Sequence, residues 1–346
     1  MKSVREYPEV RRILESKPKW ITHLPSDPRD MLLQSEESFT VFRTLIDVLD
    51  FSQSHHIVKQ VKELVLADEK VQHLVESLPS DWASYLVKGH QKADYPPSVL
   101  LLLLDFGLTK NDFPQIERLL TQMLELQDEN GRFQSLAMFP RSPPVIGSSL
   151  CDTHIITETL ILGGYDSTEE VRKAIKFIAD QLKETSQGIG WKCEPNSESK
   201  ARGPGRKDDI CPQVTLEALR VFSHVPTKDR SKELLDAGRT LLRCYEQSEH
   251  RPYMFGHGSR FKKLRPPFFW YEIGSVLDAA SRYTELTREK SFNKMLDLVI
   301  AKADGNGRFT PESVYLDFKD WSFGQKKVWS PWLTLYICRI LKRVYG

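Results

Sequence analysis

The chain has 346 residues, 40% of them hydrophobic and 28% charged, with a formal net charge of +2. That balance is ordinary for a chain with a sizeable core, and the near-neutral total excludes a global electrostatic pull toward nucleic acid, so any basic site is local. The N-terminus shows no secretory h-region, and the longest pure apolar run, Val99–Leu104, is too short to span a bilayer, which predicts a cytoplasmic protein without a membrane span.

The predicted elements alternate between two kinds of helix. A helix over about Val4–Glu15 comes first, without a partner. Inner helices, apolar on most faces and therefore buried, are expected to begin near Ser38, Pro97, Thr153, Pro212, Tyr271 and Pro331. Prolines suit these starts, because the first-turn N–H has no helical acceptor anyway. Amphipathic outer helices are read at Phe113–Leu126, Thr168–Glu184, Lys228–Glu246 and Arg288–Lys302, and His55-His56 opens another as a solvated cap. Glu69–Val87 adds one or two extra helices. No stretch of useful length has a strand period.

The alternation is a repeat. Thr215-Leu-Glu-Ala-Leu-Arg-Val-Phe222 and Thr334-Leu-Tyr-Ile-Cys-Arg-Ile-Leu341 share Thr, Leu and Arg in register. Taking Leu45, Leu103, Leu160, Leu219, Ala279 and Cys338 as equivalent points, the intervals are 58, 57, 59, 60 and 59. A glycine-aromatic marker keeps the same beat: Gln127-Asp-Glu-Asn-Gly-Arg-Phe133, Gly188-Ile-Gly-Trp191 and Asp304-Gly-Asn-Gly-Arg-Phe309. A fixed period of this length is the signature of a helical repeat array. The predicted fold is all-α: one (α/α)6 toroid domain over residues 1–346, six inner and six outer helices, with the N-terminal helix closing the ring.

Inner-to-outer turns are short, whereas outer-to-inner connections are long: about Gln127–Cys151, Thr185–Ile210, Gln247–Phe269 and Ala303–Ser330. Long loops in compact domains usually carry function, so the end of the ring where inner helices begin is the expected functional face.

Proline-started inner helices and the Gln-x-x-x-Gly-x-aromatic turn resemble the α/α-toroid of protein prenyltransferase β-subunits and of squalene and terpenoid cyclases. The order Gly-Trp-x-Cys, Arg-Lys-Asp-x-x-Cys, Pro-Phe-Phe-Trp-Tyr, Asp-Gly-x-Gly-Arg-Phe and Trp-x-Thr-Leu is similar to the small prenyltransferase/squalene-oxidase-repeat proteins of prokaryotes. The resemblance implies that Asp209-Ile-Cys211 matches an Asp-x-Cys pair on catalytic zinc and that Arg206 matches a basic position on a substrate diphosphate. The family's third ligand, a histidine, falls here around Trp270-Tyr271, and His257 lies in the preceding loop. Asp208-Asp209 also matches the tail of the cyclases' Asp-x-Asp-Asp acid, although Arg206 at the leading position would hold such acids ionised.

Two further clusters lie on the expected face. Cys151, Cys193 and Cys211 fall at consecutive units, and with Asp209, His154 or His257 they are a candidate zinc or iron–sulfur environment. The alternative is three packed thiols, and Cys244 and Cys338, inside helices, are read as packing. Basic loops carry Lys200, Arg202, Arg206, Lys207, Arg260, Lys262, Lys263, Arg265, Lys326 and Lys327 among aromatics that include Phe255, Trp270, Tyr271 and Trp321. A basic rim around an aromatic funnel suits an amphiphile with an anionic head, such as an isoprenoid diphosphate. Two functions stay open: an enzyme with Asp208 and Asp209 as catalytic or ligating groups, or a non-catalytic module gripping a lipid, peptide or nucleic-acid partner.

Overall fold

The structure is a computed structural model that describes residues 4–138, 143–203, 207–247 and 260–346. Its helices in chain order are α1 (Pro8–Glu15), α2 (Arg29–Leu33), α3 (Ser38–Arg43), α4 (His56–Leu66), α5 (Glu69–Glu76), α6 (Pro96–Asp105), α7 (Pro114–Glu125) and α8 (Leu150–Leu160). There follow α9 (Glu169–Asp180), α10 (Pro212–Ser223), α11 (Lys232–Glu246), α12 (Ile273–Ala280), α13 (Thr284–Thr287), α14 (Lys290–Ile300) and α15 (Pro331–Tyr345). The inner helices are α3, α6, α8, α10, α12 and α15, and each begins within three residues of its expected start. All but α3 and α15 are buried along essentially their whole length, as their uninterrupted apolar runs require.

Direct contacts carry the ring from one inner helix to the next. The Thr159 hydroxyl of α8 donates to the Pro97 carbonyl of α6 at 3.5 Å, and His154 of α8 meets the Val214 carbonyl of α10 at 3.0 Å. The Tyr283 hydroxyl donates to the Leu219 carbonyl, and Arg343 of α15 donates to the Asp278 carbonyl of α12 at 3.0 Å. Lys342 of α15 donates to the Asp47 carbonyl just past α3, and the rings of Phe39 on α3 and Phe106 after α6 stack at 4.0 Å. The circle is closed.

Outer helices lay one apolar stripe on this ring. In α9, Val171, Ala174 and Ile178 are buried, and Ile175 packs at the edge. The N-terminal segment closes the ring, but through residues 19–33 rather than through α1. His23 stacks on Tyr345 of α15 at 3.6 Å, and α2 packs beside α15. Arg29, buried, donates to the carbonyls of Ile13 and Leu14, tying α1 back to this segment, while α1 itself turns Tyr7 toward Gln60 and His56 of α4.

Short strands occur where none was expected, in the outer-to-inner connections. The strand β1 (Leu86–Val87) pairs in parallel with β2 (Ser135–Ala137), which pairs antiparallel with β3 (Val145–Gly147). A hairpin joins β4 (Lys183–Thr185) to β5 (Gly188–Gly190). Two or three residues are too few to show a period of two, so sequence patterning could not reveal them.

The repeat marker has a physical cause. In Asp128–Arg132 the Asp128 carboxylate accepts from the Asn130 and Arg132 N–H groups at 3.0 and 2.8 Å and from the Arg132 Nε. In Asp304–Arg308 the same bonds recur at 2.9, 3.0 and 2.8 Å. Gly131 and Gly307 hold φ of +86° and +74°, which L side chains rarely adopt. The aromatic that follows, Phe133 or Phe309, is fully buried.

Candidate functional site: two ends of the ring

On the face where inner helices begin, the expected residues do not converge. Asp208 is exposed, with Lys192 3.8 Å away, whereas Asp209 is buried and accepts from the Ser186 hydroxyl at 2.7 Å. The first residues of α10 are capped by neither; its N-cap position is Cys211. Arg206, His257 and Phe255 lie outside the described residues. Lys207 and Arg260 are exposed and Arg202 is half-buried. Most of the described aromatics of the expected funnel go into the core: Tyr271 and Trp321 are buried, Trp321 against Phe39 and Phe106, while Trp270 and Trp329 are half-buried. Aromatic area is worth more buried than on a wet rim, and it outweighs the spacing pattern. Arg265 is not a rim cation either; it pairs with Glu272 at 3.0 Å and lies over the Tyr315 ring.

Of the four expected metal ligands, Cys193 and Cys211 lie beside each other and Cys151 is their neighbour, but Asp209 is engaged with Ser186. Among the described residues the ligand atoms of three or more His, Cys, Asp or Glu side chains lie within 4.8 Å of one another only at Glu9, His55 and His56. The Asp-x-Cys-His zinc set that the resemblance implies does not fit these positions, since Trp270 and Tyr271 stand where the third ligand would be. His154 is a core residue: burial pushes its pKa down to about 4. Cys244 and Cys338 are buried within helices, in keeping with a packing role.

Beside the cysteines is a buried polar cluster that sequence reading missed. Asp152, in the first turn of α8, accepts from the hydroxyls of Tyr95, Ser135 and Ser149 at 2.6, 3.0 and 2.6 Å, and meets His90 Nε2 at 2.9 Å. Burial opposes the charge on both partners, yet their mutual attraction prevails, raising the His90 pKa and lowering that of Asp152. For Glu217, on the next inner helix, burial outweighs the Gln213 hydrogen bond and the attraction of His90 and Arg220 and drives its pKa up to about 8.

The cavity lies toward the other end. It measures about 810 Å³ and is lined mainly by the second halves of the inner helices, with Ser98, Trp332 and the segment 267–269 reaching it from the ends where those helices begin. Leu101, Leu102, Leu104, Ile155, Phe268 and Trp332 give it apolar walls, and exposed Gln53, Thr109, Leu162 and Arg343 edge its opening. Each inner helix places a charged residue within two positions of the repeat's equivalent point: Asp47, Asp105, Glu158, Arg220, Asp278 and Arg339. Charges in the last turns of otherwise apolar helices were the available signal, and the long loops drew attention to the opposite face instead.

These charges are interlocked. Glu158 pairs with Arg220 at 2.9 Å; Asp278 takes Arg343 at 2.7 Å and Arg282 at 2.9 Å; Asp105 takes Arg339. Asp47 is shared, with Arg43 at 3.0 Å and Arg339 at 2.7 Å. Although buried, Asp278 and Glu158 are held below the usual carboxylate range by these arginines. Six cations (Arg43, Arg220, Arg282, Arg339, Lys342, Arg343) face four carboxylates (Asp47, Asp105, Glu158, Asp278). Burial and the nearby charge of Arg339 lower the Arg43 pKa, and the buried Nη2 of Arg339 has no hydrogen-bond partner. Lys342 is met from outside the lining by Asp50 at 2.6 Å, which leaves the cavity one negative charge short.

An α/α toroid with an apolar, cation-rich cavity is the class of protein these features define. No family model matches the chain, and no curated protein matches it. Among solved structures, it is similar to a selenomethionine derivative of a GH76 α-mannanase from Bacteroides thetaiotaomicron, with a TM-score of 0.41 and 11% identity, over 72% of this chain and 67% of that one. Among the described residues, no helix is long and apolar enough to cross a membrane.

Proposed function

We propose that the chain binds an amphiphile of isoprenoid type, its apolar chain inside the ring and its anionic head among Arg43, Arg220, Arg339 and Arg343. The observation that carries this reading is the cavity itself: the right size for one ligand, apolar within, with an excess of one positive charge around its charged ring once Lys342 is set against Asp50. An arriving anion would supply the acceptors that Arg339 lacks and relieve the opposition between Arg43 and Arg339. The ligand chemistry is that expected from the sequence, but the site moves to the opposite end of the ring.

Binding is favoured over turnover by the state of the acids. All four cavity carboxylates are engaged by arginines, so none is poised to protonate an alkene as the cyclase reading of Asp208-Asp209 would require. Transfer chemistry that begins with diphosphate departure needs only cations, and is the enzymatic version of this proposal.

Calorimetric titration with farnesyl diphosphate, farnesol and inorganic pyrophosphate tests it. Farnesyl diphosphate should bind one to one, at least about tenfold tighter than either fragment, a difference of about 1.4 kcal/mol or more. Leu101→Trp, which fills the apolar part, should weaken the diphosphate ester and leave pyrophosphate unchanged. If no amphiphile binds, or if Leu101→Trp is without effect, the reading fails. Release of pyrophosphate during incubation would make the protein a transferase or cyclase; a stable complex makes it a binding module.

A further inference from the structure

Away from the cavity, Cys193 and Cys211 meet where α10 begins. The Cys211 N–H donates to the Trp191 carbonyl at 2.7 Å, fixing the helix start beside the segment that follows β5. Two residues past Trp191, the Cys193 side chain comes back beside Cys211, close enough for the two thiols to act on each other's ionisation. The Gly203 N–H donates to the same Cys193 sulfur at 3.1 Å. Gly203 is needed there, since a Cβ would lie 2.9 Å from that sulfur. The two cysteines differ in access: Cys193 is half-buried, and Cys211 is buried behind it at 3% exposure. The positive charges of Arg202 and His90 act on Cys193.

We propose that Cys193 and Cys211 are a dithiol that a hydroperoxide oxidises to a disulfide, Cys193 attacking first and Cys211 resolving. Donors and cations gathered round one accessible sulfur favour its thiolate, the form that reacts. In the first step the Cys193 thiolate sulfur attacks the terminal oxygen of ROOH. An S–O bond forms, the O–O bond breaks, and the departing alkoxide or hydroxide takes a proton from solvent; sulfur has lost two electrons and become a sulfenic acid. In the second step the Cys211 sulfur attacks the Cys193 sulfur. The S–S bond forms, the S–O bond breaks, and hydroxide leaves with the Cys211 proton as water. Overall, two thiols and one hydroperoxide give a disulfide, an alcohol or water, and a second water. Exchange with an external thiol restores the pair. The bridge would tie the segment after β5 to the N-cap of α10.

Peptide mapping decides the matter without relying on any variant. Reduced full-length protein is treated with one equivalent of hydrogen peroxide, alkylated, digested and analysed by mass spectrometry. The expected product is a peptide pair linked through Cys193 and Cys211, with Cys151, Cys244 and Cys338 alkylated. In Cys211→Ser, dimedone should trap a sulfenic acid at Cys193, and Cys193→Ser should consume peroxide at least about tenfold more slowly. A bridge through Cys151, or oxidation spread evenly over the five cysteines, would overturn the proposal. So would stoichiometric zinc in protein purified without chelator that shields all three neighbouring thiols from alkylation, because the cluster would then be a metal site.

Discussion

Arg339 of α15 reaches across the cavity to Asp105 at the end of α6, its Nη1 donating to both carboxylate oxygens at 3.0 and 3.1 Å. Its Nε faces Asp47 at 2.7 Å, and the guanidinium lies 5.0 Å from the Trp332 ring centre. One side chain therefore ties together three inner helices that are far apart in the sequence. Arg339 is 8% exposed, and removing it leaves Asp105, 35% exposed, without its ion-pair partner and Asp47 with Arg43 alone. Arg339→Met should lower stability by about 1 to 2 kcal/mol in urea denaturation. Adding Asp105→Leu should recover part of that loss, because the second change removes a charge the first left unpaired. A double variant weaker than the sum of the two singles would show that the pair is not coupled in this way.

The turns that mark the repeat offer a test with an internal control. Gly307 has φ of +74°, and a Cβ there would collide with the Ser26 carbonyl oxygen. Gly305, two residues earlier in the same turn, has open space where a Cβ would sit, with no atom within 4 Å. Gly307→Ala should cost at least about 2 kcal/mol, from left-handed strain and the collision together. Gly305→Ala should fall within about 0.5 kcal/mol of the parent. Equal effects would mean that backbone conformation is not what the marker encodes.

What the sequence made legible follows from what each level of structure depends on. Inner-helix starts came out within three residues because proline and unbroken apolar runs act locally. The marker turns were visible because a positive φ demands glycine at one fixed place. The ionic ring of the cavity was not visible, because Asp47, Asp105 and Arg339 gain meaning only when the ring closes, and residues 234 apart then touch. The basic loops misdirected the reading for the converse reason. Trp321 and Tyr271 looked like rim residues beside lysines, but their area is worth more in the core. His90 was overlooked because its partner Asp152 lies 62 residues on, beyond α6 and α7.

The His90–Asp152 pair has a pH signature. The folded-state pKa of His90 is raised, so the stabilisation it gains is fully present below its unfolded value and is lost as pH rises through the folded value. Asp152, lowered, contributes stability above the unfolded carboxylate value that is lost as pH falls. In Asp152→Asn, the His90 ring signals followed by NMR should titrate at lower pH than in the parent. An unchanged titration would show that the carboxylate does not set the imidazole's affinity for its proton.

Glu217 supplies the opposite case. It is buried on α10, and Gln213 donates to its Oε1 at 2.6 Å while Oε2 has no hydrogen-bond partner. Burial raises its pKa from the ordinary 4.5 to about 8, so the folded protein holds a proton that the unfolded chain releases between those values. Unfolding thus releases a proton throughout that window, and this residue's contribution to stability falls as pH climbs from about 4.5 to about 8. Glu217→Gln keeps the acceptor for Gln213 and removes the titration. Denaturation midpoints of parent and variant should nearly coincide at pH 4, and the variant should be the more stable of the two at pH 8. If the difference between them stays constant over that range, Glu217 does not titrate as its burial requires.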